Sequence, residues 1–210
     1  MPNKVSIENK ILEAAYKFFV EKGYRQTTME DIAKHLGISK KTLYKYYPGK
    51  LDLLSAAFEV LKVRLTAKME AIVANKYISF PLKLKSTMAV MASMLGPINP
   101  ALFEEIKEYA PDLWADLAHY INESAYDRFA KLLKQGVQED LVNSSVNLNL
   151  VVLLYSAAIQ SLIDPSFINQ FPTAIQQGMQ LSPSDIYDQV ITIIYNGILS
   201  DEARNEFANA

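Results

Sequence analysis

Hydroxyl and ammonium side chains are concentrated in one short segment near the N terminus, residues 28–50. Such groups exchange hydrogen bonds with phosphate oxygens and with the edges of nucleic-acid bases. The residues of the segment with this chemistry are Thr28, Ser39, Lys40, Lys41, Thr42, Tyr44, Lys45, Tyr46 and Lys50. We therefore predict that these side chains contact double-stranded DNA.

Two short helices joined by a tight turn would position these groups. Thr28 is a favoured N-cap for a helix over residues 29–36, and Ser39 is one for a helix over residues 40–46. Gly37, between the two helices, can adopt the left-handed backbone conformation that a tight turn requires. The apolar residues that would lock the two helices together are Ile32, Leu36, Ile38 and Leu43. This arrangement predicts a helix-turn-helix.

Lys50 opens a third predicted element, a long helix over residues 50–74. The N–H groups and the dipole at the start of a helix favour an anion beside it. We expect that a phosphate held by Thr28, Tyr46 and Lys50 sets the register of the protein on the duplex.

Charge is distributed unevenly, although the formal net charge of the whole chain is only −2. Residues 1–50 contain ten basic and five acidic residues, whereas the remaining residues contain eleven basic and eighteen acidic ones. A basic end on an acidic body indicates that one end binds a polyanion and the other does not.

The first 60 residues resemble the DNA-binding domain of the TetR family of transcriptional repressors. The resemblance is carried by three motifs: F-x-x-K-G-Y-x-x-T-T-x-x-D-I-A at positions 19–33, L-G-I-S-K-x-T-L-Y-x-Y-Y at 36–47 and G-K-x-D-L-L at 49–54. Tyr47 stands where the family usually has phenylalanine, and Pro48 is a variation in the turn. For residues 60–210 the resemblance is architectural only.

The resemblance implies an all-α protein of nine or ten helices. Residues 1–50 would form a three-helix domain that binds DNA, and residues 51–210 a larger helical domain that binds an effector and dimerises. It further implies a homodimer that holds a palindromic operator, and an effector that moves the two DNA-binding domains apart and releases the operator. An activator, or a regulator controlled by a protein partner instead of a small ligand, remains an alternative.

Apolar residues also recur with helical periodicity along the rest of the chain, without the period-2 alternation of strands. The pattern predicts further helices over residues 81–95, 100–109, 111–135, 147–163 and 184–199. Methionine and aromatic residues in this part could line a pocket for an apolar or aromatic effector. The candidates are Met88, Met91, Phe103, Trp114, Tyr120 and Tyr126. Ordinary core packing is the alternative for each of them.

The two late predicted helices are apolar over a wider stripe than burial on one side requires. A dimer interface explains the excess, with burial inside the monomer as the alternative. The candidate interface residues are Tyr155, Ile159, Leu162, Val190 and Ile194.

Several function classes find no support in the sequence. The chain has no cysteine, and neither of its two histidines has a partner at metal-ligand spacing. No nucleophile elbow, phosphate-binding loop, dinucleotide fingerprint or zinc-protease motif is present. We therefore expect no enzyme activity, no metal and no cofactor. Without a signal-like N terminus or a long apolar run, we expect a cytoplasmic protein that does not enter membranes.

Overall fold

The computed structural model describes residues 6–163 and 165–178, together with the isolated positions 185, 189, 192, 193, 196 and 197. These residues form helices without a β-strand, which confirms the predicted all-α fold class. None of the described helices combines the length and the apolar character that crossing a bilayer requires.

The helices follow one another along the chain with short connections. In order they are α1 (Ile7–Gln26), α2 (Met29–Leu36), α3 (Lys40–Tyr46), α4 (Lys50–Ala74), α5 (Phe80–Leu95), α6 (Pro100–Tyr109), α7 (Pro111–Ser124), a π-helical segment (Ala125–Phe129), α8 (Ala130–Gln138), α9 (Leu148–Ile163), α10 (Pro165–Ile168) and α11 (Thr173–Gly178). The bounds of α2, α3 and α4 are those that the sequence predicts. The helix predicted over 184–199 lies outside the continuously described residues.

The chain divides into two compact units. Unit 1 comprises Met1–Arg64 and Pro97–Ala115, and unit 2 comprises Leu65–Gly96 and Asp116–Ala210. The core of unit 1 includes the fully buried side chains Ile11, Phe19, Ile32, Leu43, Leu53, Leu54, Phe58, Ile98 and Leu102. In unit 2, one buried cluster contains Leu65, Met69, Phe80, Leu84, Met91, Phe129, Leu132, Leu133, Val142 and Val151.

Helix α1 is broken at Gly23. The backbone there has φ 82° and ψ 176°, and a short helical stretch then continues to Gln26. Only glycine adopts this region of backbone conformation without strain. The break therefore depends on the residue type at position 23.

The helix predicted over residues 111–135 is interrupted. Helix α7 ends at Ser124, and the π-helical segment Ala125–Phe129 separates it from α8. Phe129, at the end of the segment, is buried and stacks on Tyr155 with 4.2 Å between ring centroids. Tertiary contacts of this kind are invisible to local periodicity, which is why the pattern predicted one uninterrupted helix.

Candidate DNA-binding surface and effector cavity

Thr28 and Gly37 delimit the first helix of the helix-turn-helix. The Thr28 hydroxyl accepts a hydrogen bond from the Asp31 backbone N–H (3.1 Å) and donates one to Asp31 Oδ2 (2.7 Å). Gly37 has φ 65° and ψ 28°, and the N–H of Ile38 bonds to the carbonyl of Ala33 at 3.0 Å. These contacts satisfy groups that a helix end leaves unpaired, and they set the angle at which α3 leaves the turn.

Ser39 begins α3, and Leu43 fixes that helix to the core of unit 1. The Ser39 hydroxyl accepts a hydrogen bond from the Thr42 backbone N–H at 3.0 Å and lies 2.9 Å from the Thr42 hydroxyl. Leu43 is completely buried. Because side chains three and four positions apart share a helix face, burial of Leu43 leaves the opposite face of α3 in solvent.

The exposed face of α3 presents Lys41, Tyr44 and Lys45. Tyr44 is 48% exposed, and Tyr46, at the end of the helix, is 41% exposed. Within the described part of the chain neither tyrosine hydroxyl has a hydrogen-bond partner. These four side chains are consequently available to a ligand outside unit 1.

The other residues predicted to contact DNA differ from Tyr44 and Tyr46 in having partners within unit 1. Thr28 and Ser39 use their hydroxyls in the helix caps, and the Thr42 hydroxyl lies within hydrogen-bond distance of the Ser39 hydroxyl. Lys40 Nζ lies 2.6 Å from Glu30 Oε2 in an exposed ion pair. The hydrogen bond to Glu30 raises the pKa of Lys40. Because exposed pairs of this kind contribute little to stability, a phosphate could replace the carboxylate at little cost.

Lys50 is only partly exposed at the start of α4. Its Nζ donates a hydrogen bond to the Tyr24 carbonyl oxygen (2.8 Å) and lies 4.1 Å from the centroid of the Tyr24 ring. Desolvation lowers the pKa of Lys50, and the nearby Glu105 carboxylate opposes that shift. The ammonium group is thus held beside the α1 break in a defined position.

Glu105 is a neighbour of Lys50 that sequence reasoning missed. Its Oε2 accepts hydrogen bonds from the backbone N–H groups of Tyr24 (2.5 Å) and Arg25 (3.1 Å), directly after the break at Gly23. In the sequence, Glu105 is one of several charged residues on a helix with a solvated face. A contact across 81 positions leaves no local signal by which it could have been found.

A partly enclosed cavity lies inside unit 2. Its volume is about 50 Å³, so it is narrow. Its described lining consists of Leu65, Met69, Val73, Thr87, Met91, Tyr120, Ile121, Ser124, Arg128, Phe129, Leu132 and Tyr155. This is the mostly apolar composition of small-molecule sites.

The structure brings only some of the predicted pocket residues together. Met91 and Tyr120 line the cavity. Phe103 and Trp114 belong to unit 1, where their rings meet edge to face at 6.5 Å. Tyr126 is 70% exposed, and the side chain of Met88 lies outside the described part of the structure. The sequence pattern did not single out Arg128, the charged member of the lining.

Helix α9 has two different apolar faces. Val151 is buried and Tyr155 lines the cavity. On another face, three leucines that sequence reasoning did not name are exposed: Leu150 (53%), Leu153 (63%) and Leu154 (53%). The side chains of Ile159 and Leu162 and the whole of Val190 and Ile194 lie outside the described residues.

Comparisons with known proteins agree with the helix-turn-helix geometry. The family model of the bacterial regulatory proteins of the tetR family matches residues 11–57. Over 196 residues the chain is 26% identical to an uncharacterized HTH-type transcriptional regulator, YvaF, of Bacillus subtilis (strain 168), a match that covers 93% of this chain and 97% of the relative.

Two further similarities extend beyond the N-terminal segment. The fatty acid metabolism regulator protein of Bacillus subtilis (strain 168) is 24% identical over 168 residues, which cover 76% of this chain and 83% of the relative. A crystal structure of a TetR-family transcriptional regulator from Marinobacter aquaeolei VT8 has a TM-score of 0.71 at 19% identity, with 98% of this chain and 97% of that chain covered. The structural likeness shows the fold.

Proposed function

The chain belongs to the tetR family of bacterial regulatory proteins, and on this premise we propose that it is a repressor that a small effector releases from a palindromic operator. Its relatives are transcriptional regulators and not enzymes. The proposal assigns DNA reading to residues 1–50, effector binding and dimerisation to residues 51–210, and the protein itself to the cytoplasm.

The exposed face of α3 is the observation that carries the proposal. Lys41, Tyr44 and Lys45 project from a helix whose start, turn and buried anchor are all fixed by contacts within unit 1. The second helix of such a motif enters the major groove, where donors and acceptors distinguish all four base pairs. Lysines on the same face can bind phosphates. A rigid helix with these side chains is suited to read a short base sequence.

Selection of bound sequences from random DNA tests the proposal. The wild-type protein should enrich a palindrome at near-physiological salt, because two copies related by a two-fold axis read two equivalent half-sites. Tyr44→Ala should weaken binding to that palindrome roughly tenfold or more, since one base contact contributes about 1–3 kcal/mol. Tyr77→Ala removes a tyrosine that is 98% exposed in unit 2 and serves as the matched control.

The affinities of the two variants for the selected palindrome decide whether α3 reads the DNA. Loss of affinity in Tyr44→Ala but not in Tyr77→Ala supports reading by α3. Equal affinity in both variants contradicts that placement of the recognition surface. A transcription assay on the selected operator then gives the sign of regulation, and a rise in transcription on adding the protein would favour the activator alternative.

Dimerisation is part of the same proposal. Leu150, Leu153 and Leu154 stand at helical spacing on α9 with more than half of each side chain in solvent, and Ile193 is 73% exposed. Clustered exposed apolar side chains are characteristic of protein interfaces. A second copy of this chain covering them would supply the two-fold symmetry that a palindrome demands.

The cavity of unit 2 is the proposed effector site. Its walls are formed mainly by aliphatic, methionine and aromatic side chains. A pocket of this composition favours an apolar or aromatic molecule. The name of one relative, a regulator of fatty acid metabolism, is consistent with an effector that has a large apolar part.

A further inference from the structure

Arg128 gives the cavity of unit 2 a fixed positive charge. Arginine stays protonated in proteins, and its guanidinium carries five N–H donors. Arg128 is half-buried, donates one hydrogen bond to the Ser124 hydroxyl, and its Cζ lies 5.7 Å from the centroid of the Tyr120 ring. Among the described residues, no carboxylate oxygen lies within 4.0 Å of the guanidinium. Most of its donors therefore remain available to an anion.

Two other polar groups of the lining already have hydrogen-bond partners within the protein. The Thr87 hydroxyl donates to the Leu84 carbonyl at 2.8 Å. The Tyr120 hydroxyl lies 3.0 Å from the Thr66 hydroxyl. The strongest recognition group for a ligand in this cavity is consequently Arg128.

The backbone that carries Arg128 is unusual. Ala125–Phe129 forms a π-helical turn inside an otherwise α-helical stretch, and both Arg128 and Phe129 line the cavity. Turns of this kind are rare and occur frequently at functional sites. Together with the available guanidinium, the π-helical turn is a second and independent observation that points to a ligand.

The apolar lining of the cavity indicates what the uncharged part of the ligand is. The remaining walls are apolar and leave a narrow space, and Phe129 and Tyr155 form a stacked aromatic pair on one side. Met69 and Met91 can adjust to tails of different length because methionine side chains are flexible. A slim apolar chain fits these walls better than a broad ring system.

We propose that the effector is an amphipathic organic acid, whose carboxylate pairs with Arg128 and whose unbranched apolar tail occupies the cavity of unit 2. This inference rests on the proposed effector function and specifies its ligand. A carboxylate can accept two parallel hydrogen bonds from one guanidinium, which makes the pair both strong and directional.

Calorimetry on the purified full-length protein without DNA tests the inference, with decanoate and 1-decanol as probes at submillimolar concentrations. Decanoate should bind roughly tenfold to a hundredfold more tightly than 1-decanol, as expected for hydrogen bonds to charged groups. Arg128→Gln should abolish that difference while leaving 1-decanol binding unchanged. Lys131→Gln removes an exposed cation from α8 and should change neither affinity.

Two outcomes would overturn the inference. One is equal binding of acid and alcohol by the wild-type protein, and the other is failure of both probes to bind. Arg128→Lys controls for misfolding of the Arg128→Gln variant. It keeps the positive charge but lacks the planar guanidinium, so it should retain part of the preference for decanoate. Because the assay contains no DNA, its result is independent of operator recognition. Acid binding that leaves a selected operator bound would contradict the effector function and not the ligand class.

Discussion

The ammonium group of Lys50 makes two interactions within unit 1, and the same group is predicted to bind a DNA phosphate. It bonds to the Tyr24 carbonyl and lies over the Tyr24 ring, with the Glu105 carboxylate nearby. A lysine held in this way loses little side-chain entropy when it meets a phosphate. Its structural role and its predicted phosphate contact are therefore compatible, and they can be separated by measurement.

Lys50→Gln should have two separate effects, one on the stability of the protein and one on the salt dependence of DNA binding. Loss of the contacts with Tyr24 should lower the free energy of unfolding by about 1 kcal/mol, measured by urea denaturation. Loss of one phosphate contact should reduce the slope of log K against log salt by about 0.9 on the selected operator. Lys131→Gln, on an exposed face of α8, is the control for both measurements. An unchanged salt slope would remove Lys50 from the DNA-binding surface.

Individual residues show where sequence reasoning stops. Thr28 and Ser39 were predictable as caps, because a cap acts on atoms two or three positions away. Glu105 and Arg128 were not, because the environment of each is assembled from distant parts of the chain. Charged residues on a helix carry no local mark that separates a solvated side chain from one aimed at a backbone N–H or a cavity.

At the scale of elements, the two glycines that shape unit 1 should differ in their tolerance of a side chain. At Gly37 a Cβ would meet nothing within 4 Å, so the cost comes only from φ 65°. At Gly23 the backbone is in a region that side chains avoid, and a Cβ would lie 2.7 Å from Glu105 Oε2. We expect Gly37→Ala to destabilise by about 1–2 kcal/mol and Gly23→Ala to destabilise more.

Thermal unfolding of the two variants, with Gly178→Ala as control, checks this order. Gly178 has nothing within 4 Å of a Cβ and lies outside the left-handed region, so its variant should be close to neutral. Equal losses of stability in Gly23→Ala and Gly37→Ala would mean that the Glu105 side chain moves away without cost and does not stabilise the α1 break.

The elements themselves were predictable to different degrees. Hydroxyl caps mark the start of α2 and of α3, Gly37 marks the end of α2, and Pro48 and Gly49 separate α3 from α4. The π-helical segment Ala125–Phe129 has no such signal. At its end Phe129 stacks on Tyr155, a tertiary contact between residues that no single window of sequence contains.

At the scale of the whole molecule, the uneven distribution of charge acquires a physical purpose in the proposed function. The basic residues of positions 1–50 attract the phosphate backbone, whereas the acidic remainder is repelled by it. The protein would therefore approach DNA by its N-terminal part. A single helix-turn-helix reads only a few base pairs, so useful specificity requires a second copy of the protein. Both copies would turn their basic N-terminal parts towards the DNA.

The exposed leucines of α9 allow a direct test of dimerisation. Leu153 is 63% exposed, with Leu150 and Leu154 beside it on the same helix. An arginine at position 153 would place an unpaired charge in the proposed interface, which desolvation strongly disfavours. Leu153→Arg should therefore elute as a monomer with a mass near 23.6 kDa by light scattering, whereas the wild type should have about twice that mass.

Val63→Arg is the matched control, because Val63 is a comparably exposed apolar residue (67%) on α4 in unit 1. It should remain dimeric and bind the operator normally. The monomeric Leu153→Arg variant should keep its helical content but bind a full palindrome no better than a half-site, since its two recognition helices are no longer linked. A Leu153→Arg variant that stays dimeric would show that the exposed face of α9 is not the interface on which palindrome recognition depends.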